Sequence, residues 1–190
     1  EKMLKDLKAH PDYRFDAKML LQARLLDMLI SDWDRHGGQW KWGYHQEGTA
    51  MKIYPIPVDH DQAYFNSTGA LVPIVRPFTM KHIIGFRDES TQLTTLNRKE
   101  WDFDRRLLGD LTEEDWRTGI QSFQAKLTDD VLMAAARRLP GKVYDTYGKD
   151  LYDQLRKRRD SMLKEVMKYY RFLKERPLNP LKEELVKEKG

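Results

Sequence analysis

Three features of the sequence predict a mainly α-helical α+β domain with one small β-hairpin near its front. Apolar residues recur at helical spacing between residues 16 and about 31. Two short runs rich in Trp, Tyr, Ile and Val then flank a Glu47-Gly48 turn. From about residue 112 to 176 the helical pattern is nearly continuous. The 190 residues fit one domain over 1–176 followed by a C-terminal tail, 177–190.

Each element has a local reason. Asp16 is placed as an N-cap, with Phe15 and Leu20 spaced for a hydrophobic staple. Met19, Ala23, Leu26 and Ile30 then form an apolar stripe that Leu20, Leu25 and Leu29 widen. Gly37-Gly38 ends the helical pattern. Strands are expected over 39–45 and 49–58, with Pro55 and Pro57 placing the second at an edge or ending it early. Pro73 and Pro77 break residues 66–100 into loops and one short helix. Thr112-Glu113-Glu114-Asp115 opens a helix through about Lys126, and Thr128 opens another that Pro140-Gly141 ends. The last helix is expected from about Lys149 to Arg176, with Leu151, Leu155, Met162, Val166, Tyr169 and Leu173 as its apolar face.

Composition narrows the chemistry. Five Trp and nine Tyr make the chain too aromatic for disorder. The absence of cysteine excludes a disulfide framework, a thiol nucleophile and cysteine-ligated zinc. A net charge of +4 permits phosphate-rich partners without arguing for them. The most apolar stretch, residues 19–30, is interrupted by Gln22, Arg24 and Asp27 and is too short to cross a bilayer. Because the chain opens on Glu1, it reads as a piece of a longer protein.

Two clusters carry the candidate chemistry. Asp32-Trp33-Asp34-Arg35-His36-Gly37-Gly38-Gln39-Trp40 follows the first helix, and Asp59-His60-Asp61-Gln62-Ala63-Tyr64-Phe65 follows the hairpin. The start of one strand and the end of the next meet at a hairpin's open end, so Asp34, Gln39, Asp59 and Asp61 are expected to converge. Convergent carboxylates need a cation or a proton between them. Oxygen ligands with a Gln amide suit Mg²⁺ or Mn²⁺ better than zinc. A carboxylate beside such an ion, but not bound to it, can accept a hydroxyl proton, which is the division of labour in phosphoryl transfer.

Plainer readings stand beside these. Arg–carboxylate forks commonly lock loops, so Asp34-Arg35-His36 also fits a structural role. Alternation along an extended segment points His60 away from Asp59 and Asp61, which favours a non-ligand role. Trp40 and Trp42 share a strand face suited to core packing. Arg156-Lys157-Arg158-Arg159 reads as a solvated face offset by Asp150, Asp153 and Asp160, and nothing resembles a nucleic-acid surface.

The run Asp-Trp-Asp-Arg-His-x-x-Gln-Trp, a hairpin and then Val-Asp-His-Asp-Gln-Ala-Tyr-Phe resembles the C-lobe core of atypical kinases. These are the phosphatidylinositol-kinase, HipA-type, secretory-pathway and spore-coat groups. The resemblance covers about residues 25 to 65 and implies a kinase C-lobe-like helical domain using a nucleotide such as ATP. It implies Asp34 as the catalytic base, Asp59 as the main metal ligand and Asp61 as a second one, with Arg35 and His36 bracing the loop. Gln39 stands where those kinases have Asn, and its longer side chain would shift the metal. There is no Gly-rich phosphate loop and no strand lysine placed to pair with a helix glutamate, and too few residues precede Asp16 to build them. An N-lobe would have to come from other domains of the same longer chain. With Trp116, the Leu127-Thr128-Asp129 helix start and the Tyr169-Tyr170 segment, most of the chain also resembles a region of large bacterial envelope proteins, found beside calcineurin-like phosphoesterase and outer-membrane barrel regions. Two further functions stay open: a non-catalytic, pseudokinase-like accessory domain, and a metal-dependent phosphoester hydrolase.

Overall fold

A computed structural model of the chain describes residues 2–64, 86 and 92–179. In order the elements are α1 (Lys2–Ala9), β1 (Tyr13–Phe15), α2 (Ala17–Ile30), β2 (Trp40–Glu47), β3 (Ala50–Pro57), α3 (Leu93–Leu96), α4 (Trp101–Leu107), α5 (Glu113–Lys126), α6 (Asp129–Ala136) and α7 (Gly141–Glu175). The fold is mainly α with a small sheet, as the sequence predicts. The loop assignment over residues 65–85 and 87–91, with Pro73, Pro77 and Phe65, lies outside the described residues, as does the tail from 180 onward.

The sheet has three strands rather than two, in the order β1-β3-β2, with β1 parallel and β2 antiparallel to β3. A three-residue strand carries no readable period, so β1 is silent in the sequence. Its addition makes β3 central, which corrects the edge placement drawn from the prolines. β1 reaches only to the Phe15↔Ile53 pair, however, whereas Pro55 and Pro57 pair onward with Trp42 and Trp40. The prolines therefore lie beyond the end of β1, where no second partner asks for their missing N–H.

The caps form as expected. The Asp16 carboxylate accepts from the Met19 N–H at 2.8 Å, Thr112 and Asp115 make a reciprocal capping box, and Thr128 caps α6. The last helix starts earlier than predicted. Pro140 is its N-cap, so α7 begins at Gly141 and runs 35 residues. The proline that ends one helix also presets the backbone for the next.

α2 lies at the centre, packed on β3, α5 and α7. Its buried face is Leu20, Leu21, Leu25, Met28 and Leu29, while Met19 and Leu26 are 45% and 38% exposed, so the stripe is rotated from the predicted one. Full burial of each such Leu or Met stabilises the fold by about 1.5–3 kcal/mol. Arg24 and Asp27, which interrupt the apolar stretch in the sequence, are both 0% exposed. Arg158 is also buried, correcting its place on a solvated face. It donates to the carbonyls of Met28 and Leu29 and to the Ser31 hydroxyl. The C-terminus of α2 carries no basic residue of its own, so a guanidinium from α7 serves its last carbonyls. Trp40 is buried and Trp42 packs on the core, as their shared face predicts. Among the described residues no helix is long and apolar enough to cross a membrane.

Candidate functional site

The site forms where α2 ends and the hairpin opens. Ser31 takes a left-handed conformation (φ 55°) and turns the chain off α2, and the Asp32 N–H donates back to the Asp27 carbonyl at 2.9 Å. The exposed His36 then caps a 3-10 turn over Gly37–Gln39, its Nδ1 accepting from the Gly38 N–H. At the far end of β3, the Val58 N–H donates to the Gln39 carbonyl at 3.0 Å and closes the hairpin mouth. Asp59 (φ 63°) and Tyr64 (φ 59°) are also left-handed, and the Tyr64 N–H reaches the Ile30 carbonyl. Three of the four non-glycine residues with positive φ among the described residues thus lie in the two loops that meet here. Such conformations cost about 1 kcal/mol or more each and concentrate where the surroundings over-determine them.

Of the four groups expected to converge, two meet. Gln39 is 6% exposed, and its Nε2 lies 3.5 Å from an Asp59 carboxylate oxygen across the mouth. Its Oε1 is buried and has no hydrogen-bond donor among the described residues. Asp34 is half-buried and ion-paired with Lys99, whose ammonium also sits 5.2 Å over the Trp33 ring. Asp61 is exposed and accepts from its neighbour Gln62 at 3.2 Å.

The interior side of the mouth belongs to Arg35. Its Nη2 lies 3.0 Å from Asp27 Oδ1, 3.0 Å from Asp32 Oδ2 and 2.6 Å from His60 Nδ1. Its Nε donates to Asp27 Oδ2, and its Nη1 donates to the Val58 carbonyl at 2.6 Å and faces the Gln39 carbonyl at 3.4 Å. Ligand atoms of Asp27, Asp32 and His60 lie within 4.8 Å of one another, close enough for a shared metal ion. One guanidinium nitrogen stands within reach of all three, so the charge an ion would bring is already supplied.

Behind this cluster the polar chain continues inward. Arg24 donates to Asp27 at 2.7 Å, forks onto Asp104 at 2.9–3.1 Å and donates to Asn97 at 2.7 Å. The Tyr169 hydroxyl donates to Asp104 at 2.7 Å. Burial alone would lower the Arg24 pKa, but Asp104 and Asp27 hold it well above its ordinary value. Burial raises both Asp32 and Asp104 against the pull of Arg35 and Arg24 respectively. Glu100, also buried, is pushed up to about 8 by desolvation; Arg24 opposes the shift, and one of its oxygens has no partner among the described residues.

The sequence pattern does not single out Asp27 or Asp32, and it favours a non-ligand role for His60. Asp27 is masked by its position inside an apolar helix, where its partner Arg24 at i−3 was the available signal. The segment is not extended at Asp59 (φ 63°), so alternation does not govern it; His60 meets Asp32 and Arg35, while Asp59 and Asp61 are exposed. No protein-family model matches this chain, and no curated protein or solved structure is significantly similar to it.

Proposed function

We propose that the chain carries the metal-and-acceptor half of a phosphoryl-transfer site of the atypical-kinase type. The observation that carries this reading is the Gln39 side chain. A buried amide oxygen without a donor costs about 1–3 kcal/mol; with the amide turned so that this oxygen, in place of Nε2, faces Asp59, a hard cation between the two would satisfy it. Gln39 and Asp59 would hold Mg²⁺ or Mn²⁺, with Asp61 near enough in sequence to add a ligand through water. The ion would supply charge to a nucleotide's phosphates. Asp34 would accept the proton of the acceptor hydroxyl as its oxygen bonds to the γ-phosphorus and the bond to the β-phosphate oxygen breaks, releasing the nucleoside diphosphate. The part that covers the nucleotide would come from another domain of a longer chain.

A second reading, a non-catalytic scaffold, is favoured by one specific feature. Asp34 is already ion-paired with Lys99, and a base must shed such a partner before it takes a proton. Titration of Mn²⁺ into the chain, followed by electron paramagnetic resonance, separates the two. One bound ion is expected, lost in Asp59→Asn and weakened in Gln39→Leu. A chain that binds no Mn²⁺, or binds it equally well in Asp59→Asn, puts the scaffold reading in place of the phosphotransfer one.

A further inference from the structure

Among the described residues at the mouth, Arg35 alone combines two kinds of contact. With Nε and Nη2 it fills an acid-lined pocket formed by Asp27 on α2, Asp32 on the loop and His60 beyond the hairpin. With Nη1 it reaches the backbone carbonyls of Val58 and Gln39, one from each side of the hairpin's open end. Val58 immediately precedes Asp59, and the Gln39 carbonyl also receives the Val58 N–H. The Arg35 guanidinium further lies 5.2 Å from the centre of the Trp40 ring, which limits its movement on that side. The pocket itself is rigidly held, because Asp27 is 0% exposed and is fixed from behind by Arg24.

We infer that Arg35 is the positioning residue of the Gln39–Asp59 pair. Its guanidinium acts as a built-in cation among Asp27, Asp32 and His60, and from that anchor it clamps the two carbonyls that set the distance between the pair. The planar fork is what allows both tasks at once. A lysine ammonium could neutralise the same carboxylates as a point charge, but it has no second edge with which to hold the mouth. The Asp27–Asp32–His60 cluster is therefore the support of the site rather than its metal centre. The consequence for metal binding rests on the reading of Gln39 and Asp59 given above; the clamp itself does not.

Arg35→Lys separates the anchor from the clamp. Amide hydrogen exchange in the 190-residue chain is expected to quicken about tenfold at Val58, the loss of a charge-assisted hydrogen bond's worth of protection, while amides nearer the Glu47-Gly48 turn keep theirs. Mn²⁺ affinity is expected to fall about tenfold or more, as for other supports of metal ligands. Asp32→Asn, which removes one anchor and leaves Arg24–Asp27 intact, should shift both readouts in the same direction and serves if Arg35→Lys fails to fold. Unchanged exchange at Val58 in a folded variant overturns the clamp. Faster exchange with unchanged Mn²⁺ affinity overturns the positioning role. Absence of Mn²⁺ binding in the wild type refutes the metal reading alone and leaves the clamp to be decided by Val58.

Discussion

Glu100 shows how far a single side chain can depart from its ordinary chemistry. It sits at the start of α4, the residue only 1% exposed, and burial raises its pKa from 4.5 to about 8, with Arg24 opposing and Asp104 adding to the shift. A raised folded-state pKa means that the favourable contribution is complete below the unfolded value near 4.5 and is lost as pH climbs through about 8. Wild-type stability should therefore decline across that window, and Glu100→Gln, which keeps the shape and carries no charge, should lose that part of the decline. Thermal melts of both proteins at pH 5, 7 and 9 check this: the variant is expected to gain on the wild type as pH rises. A constant difference would mean that Glu100 does not titrate there.

Helix α2 is the element on which the site depends. It brings Arg24 and Asp27 inward, and its C-terminus launches the loop that holds Asp32, Asp34 and Arg35. Its start is set by Asp16, whose carboxylate caps the Met19 N–H and also pairs with Lys52 of β3 at 3.2 Å. Asp16→Ala should cost about 1 kcal/mol in urea denaturation, the usual value of a lost N-cap, with the same slope against denaturant. The cap, the turn at Gly37-Gly38, the hairpin and the capping box at Thr112 were all legible in the sequence because each depends on residues within a few positions of one another. Strand β1 was not legible, being only three residues long. The true face of α2 was also hidden, because a helix packed on several sides has no single apolar stripe for periodicity to find. The early start of α7 is not legible because Pro140-Gly141 signals a stop and a start alike: proline opens helices as readily as it ends them.

At the scale of the whole molecule, one polar chain runs through the core from Tyr169 on α7 through Asp104 on α4, Arg24 and Asp27 on α2 to Arg35 at the hairpin mouth. Such a chain is stable only when every member is satisfied, since each buried charge relies on its neighbours. Arg24→Ala leaves Asp27 and Asp104 without their shared cation, and the expected loss is about 3–5 kcal/mol by chemical denaturation. A loss below about 1 kcal/mol, typical of a surface ion pair, would show that the chain is not integral to the core.

Interactions between near neighbours in the chain account for the mainly α class, the caps, the hairpin and the location of the two acidic clusters. They also bring Gln39 and Asp59 to one end of the hairpin, because antiparallel pairing across a tight turn is local geometry. Which distant charges meet follows from packing. Arg24 finds Asp104 80 residues away, Asp34 finds Lys99 65 residues away, and Arg35 reaches His60 across the mouth. Those partnerships depend on how α2, α4 and the hairpin pack, and on left-handed turns at Ser31 and Asp59 that local propensity disfavours and only the assembled core can hold.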